Sequence, residues 1–137
     1  MHEIQEPPFA IQVELTEGCN LRCSMCGISG IRDKPGDYKF LTPEIACEIA
    51  NGIAAAGWNS RIEFAVHGEP SVNPHRDEII RVFRKALPDN QLMMTSNGSG
   101  FVKNAKKQID SIFAAGLNIL ALDDYKGIPF VPKIREQ

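Results

Sequence analysis

Four short apolar stretches, joined by segments with helical spacing, set the strongest constraint on how this chain can fold. Residues 11–15 alternate apolar and polar side chains, with Ile11, Val13 and Leu15 on one face, as a half-buried strand does. Thr42, Pro43 and Glu44 then form a helix start: a capping hydroxyl, a proline where no N–H is needed, and an acid at the positive dipole end. Ile45, Ala46, Ile49, Ala50, Ile53 and Ala54 recur at helical spacing, and Gly57 ends the helix. Residues 61–66, 91–95 and 118–122 read as the second, third and fourth strands. Asn73 and Pro74 open a second helix, whose apolar face includes Ile79, Ile80 and Phe83 and which Pro88 stops. Ala105, Ile109, Ile112 and Phe113 mark a third helix, capped by Gly116.

This alternation predicts an α/β fold, a parallel sheet covered by helices, with its site in the loops at the carboxyl ends of the strands. A complete eight-unit barrel needs about 250 residues. The 137 residues here hold about four strand-helix units, so the expectation is a partial (β/α) barrel forming one domain, 1–137. After Leu122 the pattern lapses. Residues 123–137 contain Gly127, Pro129 and Pro132 and are expected to be an irregular tail, which leaves the fourth strand without a helix.

Composition narrows the function classes. With 43% hydrophobic and 23% charged residues, the chain has the makeup of a soluble globular domain rather than a disordered one. A formal net charge of -2 supplies no basic field for holding nucleic acid. No apolar run approaches a membrane span, and residues 1–8 are acidic and lack the order of a signal peptide. The expected location is cytoplasmic, with no membrane and no nucleic-acid partner.

Three of the four cysteines crowd together: Cys19, Cys23 and Cys26, just after the first strand, in a segment 18–37 rich in glycine and expected to be a long irregular loop. A secreted disulfide framework would spread its cysteines, so clustering points to metal or redox chemistry. The spacing would also place three small residues on one helix face, but Gly18, Asn20, Ser24, Gly27 and Gly30 make a poor helix. Soft thiolates suit an iron–sulfur cluster, zinc or copper(I). Three ligands leave one iron of a four-iron cluster open to a ligand. A structural zinc site wants four ligands, and Cys47, His67 or His75 could supply the fourth.

This spacing in this place resembles the radical S-adenosylmethionine (radical SAM) superfamily, whose signature is three cysteines separated by three and then two residues after the first barrel strand. Further features fall in the family's order. His67-Gly68-Glu69-Pro70 follows the second strand and is similar to the family's Gly-Gly-Glu-Pro. Thr95-Ser96-Asn97-Gly98 follows the third and is similar to a Thr-Asn-Gly turn, and Asp123 follows the fourth, where members often place a polar residue near the ribose.

The resemblance implies a 4Fe–4S cluster on Cys19, Cys23 and Cys26 and S-adenosylmethionine on its open iron. Met25, Gly68, Glu69, Pro70, Asn97 and Asp123 would then bind the cofactor. Glu69 would meet the ammonium group, a carboxylate against a cation, and Gly68 would let backbone approach a ligand closely. Met25 stands where the family usually has an aromatic residue near the adenine. The bland readings are a simple turn with Glu69 in solvent, a turn at Asn97-Gly98 whatever the function, a solvated Asp123 and a packed or hydrogen-bonded His67. Cys47 reads as core. The implied activity is reductive cleavage of the cofactor to methionine and a 5′-deoxyadenosyl radical, which abstracts hydrogen from an unknown substrate.

An external one-electron donor of the flavodoxin or ferredoxin kind is implied as well. The family core usually has six strand-helix units; four are counted here, so a partner chain or a second copy would complete the barrel. Two other readings remain at this stage: a non-catalytic, truncated iron–sulfur and S-adenosylmethionine-binding module, and a structural zinc-binding domain.

Overall fold

The computed structural model describes residues 6–27 and 37–137; Gly30, Pro35 and Gly36 of the expected loop lie outside the described residues. In chain order the elements are β1 (Ala10–Gln12), β2 (Thr16–Glu17), β3 (Lys39–Phe40), α1 (Pro43–Ala55), β4 (Arg61–Glu63), α2 (Arg76–Ala86), β5 (Leu92–Ser96), α3 (Ala105–Ala114), β6 (Ile119–Leu122) and α4 (Phe130–Arg135). Four of the strands form one parallel sheet in the order β1-β4-β5-β6, each new strand laid beside the last. This is the expected partial barrel, with short helix-to-strand turns at one end and the longer loops at the other.

The register explains which residues form the core. Ile11, Ile62 and Leu92 stand in one row across the sheet; Gln12, Glu63, Met93 and Ile119 stand in the next. Successive residues point to opposite faces. One face therefore presents Val13, Leu15, Ile62, Phe64, Leu92 and Met94, all buried against the helices. Phe64 meets Phe83 of α2 edge-on, with ring centroids 5.1 Å apart. The other face presents Gln12, Arg61, Glu63, Met93, Thr95, Ile119 and Ala121, none of them fully buried. Among the described residues, helices cover one side of the sheet.

Helix α1 starts at the predicted cap, where Thr42 Oγ1 accepts from the Ile45 N–H at 3.5 Å. Its buried stripe is narrower than the apolar spacing suggested: Ala46, Ala50 and Ile53 are buried, whereas Ile45 is 49% exposed. Cys47, expected in the core, is exposed, because it lies one residue, about 100° of turn, off that stripe. Helix α2 starts later than expected, at Arg76. Asn73 is occupied elsewhere: its Nδ2 donates to the carbonyls of Leu15 at 2.6 Å and Leu41 at 3.1 Å, and its Oδ1 accepts from the His75 N–H at 2.8 Å. A 3₁₀ turn, Pro70–Val72, precedes it.

Structure also appears in two places where no strand or helix is predicted. Thr16 and Glu17 pair antiparallel with Phe40 and Lys39, and Lys39 Nζ lies 2.8 Å from Glu17 Oε1, so the base of the cysteine loop is closed by a short ladder. The tail after Leu122 holds α4, which gives the fourth strand a helix after all. Pro132 is tolerated because it sits in the first turn, where N–H groups have no helical partner. Gln137 ties this end down: its Oε1 accepts from the Ala105 N–H at 2.9 Å and its Nε2 donates to the Val102 carbonyl at 2.6 Å. No helix among the described residues is long and apolar enough to cross a membrane.

Candidate functional site

At the carboxyl end of the sheet, the loops after β1, β4, β5 and β6 border a cavity of about 360 Å³. Cys19, Cys23 and Cys26 line it, and all four cysteines of the chain are thiols rather than disulfides. Met25, Gly68, Glu69, Asn97 and Asp123 line it as well. Four separate loops thus bring together every residue expected at a cofactor site except one. Pro70 is buried behind the wall, where it begins the 3₁₀ turn that follows Glu69. Met25 borders the cavity with 77% of its surface exposed.

Glu69 is 3% exposed, which removes the reading of a carboxylate in solvent. Its Oε1 accepts from the Ser71 N–H at 2.9 Å and the Ser96 hydroxyl at 2.5 Å; its Oε2 accepts from the Asn97 N–H at 2.8 Å. A carboxylate offers about four acceptor positions, so one position on Oε2 is left. No ion pair engages Glu69 among the described residues. A buried carboxylate held by neutral donors alone carries an uncompensated charge.

Backbone geometry fixes the loop that carries Glu69. A Cβ on Gly68 would stand 1.6 Å from the Thr16 carbonyl oxygen and 2.8 Å from that of Gly18. The absent side chain therefore makes room for protein backbone at the start of the cysteine loop, not for a ligand as the sequence suggested. The Glu69 N–H donates to the Gly18 carbonyl at 2.9 Å, locking the two loops together. Gly98, at φ +86, supplies the left-handed residue that the Asn97-Gly98 turn requires.

Several residues that shape the site were not evident in the sequence. Glu14 accepts from the backbone N–H groups of His67 at 2.8 Å and Gly68 at 3.0 Å, so a carboxylate just past the end of β1 anchors the loop after β4. The His67 ring lies largely in solvent, with Nδ1 3.8 Å from Glu14 Oε2. Tyr125 lines the cavity and its hydroxyl donates to Asp123 Oδ2 at 3.0 Å. Burial, then that hydrogen bond and the nearby negative charge, push the Tyr125 hydroxyl up to about 12. Tyr38 is also raised, chiefly by burial, with smaller contributions from Cys19 and Glu69.

The donor set decides what the cavity suits. Among the described residues, no three His, Cys, Asp or Glu side chains meet closely enough to hold one metal ion, which a structural zinc site requires. A four-iron cluster is a larger body, and its ligands stand around it rather than at a common point. Among the described residues, the cavity wall contains Glu69 and Asp123 and no lysine or arginine. That balance favours a cationic ligand beside soft thiolates.

Known proteins of this kind are recognisable. The GTP 3′,8-cyclase 2 of Mycobacterium tuberculosis is 33% identical over 96 residues, which cover 69% of this chain and 26% of that protein. The GTP 3′,8-cyclase of Mycolicibacterium smegmatis is 32% identical over 109 residues, covering 79% of this chain and 28% of that protein. The chain thus spans about a quarter of the length of these relatives. The fold matches that of BtrN in an open conformation with a TM-score of 0.76 at 18% identity, over 90% of this chain and 53% of BtrN. BtrN in complex with AdoMet and 2-DOIA gives 0.74 at 18% identity, over 87% of this chain and 46% of that one. The profile of the radical SAM superfamily matches residues 13–124, a span that includes every cavity-lining residue but Tyr125, and on that match the chain belongs to the radical SAM superfamily.

Proposed function

We propose that this cavity is a cofactor site in which Cys19, Cys23 and Cys26 hold the family's 4Fe–4S cluster and the loops after β4, β5 and β6 hold S-adenosylmethionine. Family membership itself brings iron–sulfur, S-adenosylmethionine-dependent radical chemistry. One observation carries the residue assignment: three thiols line the same cavity as a buried carboxylate that has no cationic partner among the described residues. Bound together, the two cofactors supply one-electron cleavage of the sulfur–carbon bond and hydrogen abstraction from a substrate.

The chain's own residues prepare that site. The remaining acceptor position of Glu69 Oε2 would accept a hydrogen bond from the cofactor's ammonium group, a charge-assisted bond strengthened by low local dielectric. Ser96 and the Asn97 N–H hold the carboxylate in place for it. Asp123, oriented by Tyr125, offers its acceptors to the ribose hydroxyls. Met25 provides an adaptable apolar surface for the adenine. The positive charge of the sulfonium and ammonium groups matches a wall that, among the described residues, carries two acids and no lysine or arginine. Residues 1–137 act as one core domain in this reading. An external flavodoxin- or ferredoxin-like donor delivers the electron, and a partner chain or second copy lies against the open sheet.

Anaerobic reconstitution with iron and sulfide tests the reading. The expected result is about four irons per chain and a paramagnetic resonance spectrum of the reduced protein that shifts on adding S-adenosylmethionine. Glu69→Gln should keep the iron and lose most of that shift. Tight zinc without iron, or a spectrum blind to the cofactor, overturns the proposal.

A further inference from the structure

Asn97 is 5% exposed, and its backbone N–H and both polar atoms of its side chain are engaged. Its backbone N–H donates to Glu69 Oε2, and its Oδ1 accepts from the Ser99 N–H at 2.9 Å. Its Nδ2 lies 2.9 Å from Asn20 Oδ1 and 3.8 Å from Cys19 Sγ. A primary amide has two N–H bonds, and two acceptors stand within reach of this one. Turning the carboxamide over would set Oδ1 against Asn20 Oδ1 and leave the Ser99 N–H without its acceptor. The network therefore fixes an N–H, not a carbonyl, toward the Cys19 sulfur. A second donor reaches the same sulfur, the Leu21 N–H at 3.4 Å.

Hydrogen bonds to a thiolate draw electron density away from sulfur and favour the state that holds one more electron. The Asn97 donor comes from a different strand end, 78 residues away in sequence, so its geometry depends on the assembled sheet and not on the cysteine loop alone. We propose that Asn97 is a positioning residue for Cys19, and that its N–H raises the reduction potential of the cluster that Cys19 holds. This rests on the reading of Cys19 as a cluster ligand.

The test is a redox titration of the reconstituted full chain, followed by paramagnetic resonance in the absence of S-adenosylmethionine. Asn97→Ala removes the donor without adding charge. Asn97→Asp keeps the acceptor for the Ser99 N–H and replaces the donor with a carboxylate oxygen. Both are expected to load the same iron as the unaltered chain and to show a lower midpoint potential, the aspartate variant lower still because it adds a negative charge. An unchanged midpoint in Asn97→Ala with full iron content overturns the proposal. So does loss of iron from both variants, since Asn97 would then hold the loop without polarising the sulfur. Cys19→Ser separates the two layers of the argument. Loss or alteration of its cluster upholds Cys19 as a ligand, whereas four irons at an unshifted potential remove that reading whatever the Asn97 variants do.

Discussion

Tyr125 shows how much of the site is set by single contacts. Its hydroxyl donates to Asp123 and is pushed up to about 12, with burial the largest cause. The folded value lies above the ordinary 10.0, so the stability this neutral hydroxyl contributes is complete below pH 10 and is lost as pH rises toward about 12. The chain has two tyrosines, and Tyr38 is raised as well. An alkaline titration of tyrosinate absorbance in the folded protein should therefore show neither ring ionising at its ordinary value. Asp123→Asn should bring the Tyr125 transition down, because it removes both the charge and the strong acceptor. A full two-tyrosine transition at the ordinary value would sink this account. The cysteines and Glu69 were legible in the sequence because they sit in a spaced motif. Tyr125 was not, because it falls in a stretch with no periodicity and acts through a partner two residues away. Glu14 was hidden for another reason: on an alternating strand its polar face looks solvated, yet it meets backbone from the next strand's loop.

At the scale of elements, two glycines of opposite consequence test the packing. Gly68 lies against the Thr16 carbonyl with no space for a methyl group, so Gly68→Ala forces the β4 loop off the start of the cysteine loop. The expected cost is about 3 kcal/mol, the upper end for overpacking, and a melting temperature lower by several degrees. Gly52 sits in the exposed interior of α1 with nothing within 4 Å of a Cβ. Gly52→Ala should stabilise the chain by about 0.5–1 kcal/mol through helix propensity alone. Equal melting temperatures for the two variants would contradict the packing described at Gly68. The four sheet strands and three long helices followed from apolar spacing, which survives without knowledge of tertiary contacts. The ladder of β2 with β3 did not, since two-residue strands carry no periodicity. Helix α4 was missed because its prolines read as breakers, although Pro132 occupies a turn that tolerates one.

For the whole molecule, the decisive property is an open sheet. All four strands are parallel and sequentially ordered, and neither β1 nor β6 pairs with a further strand on its outer side among the described residues. An edge strand offers a row of unpaired N–H and carbonyl groups, and natural edges are usually blunted by charge, proline or a bulge. Residues Ile119, Leu120, Ala121 and Leu122 of β6 contain none of these. The uncovered face beside that edge adds Met93 and Thr95, and Phe113 of α3 is 43% exposed. Burying this edge and face against another chain would satisfy backbone groups and remove apolar area from water together. Sedimentation of the purified chain should therefore show concentration-dependent mass above the 15.1 kDa of one copy. Ala121→Lys places a charge on the open face of the edge strand, where its long stem can reach solvent. It should shift the population toward single copies without a matching loss of helical signal. A wild-type chain that stays at the mass of one copy at every concentration would mean that the edge is protected in solution, and that no second copy completes the sheet.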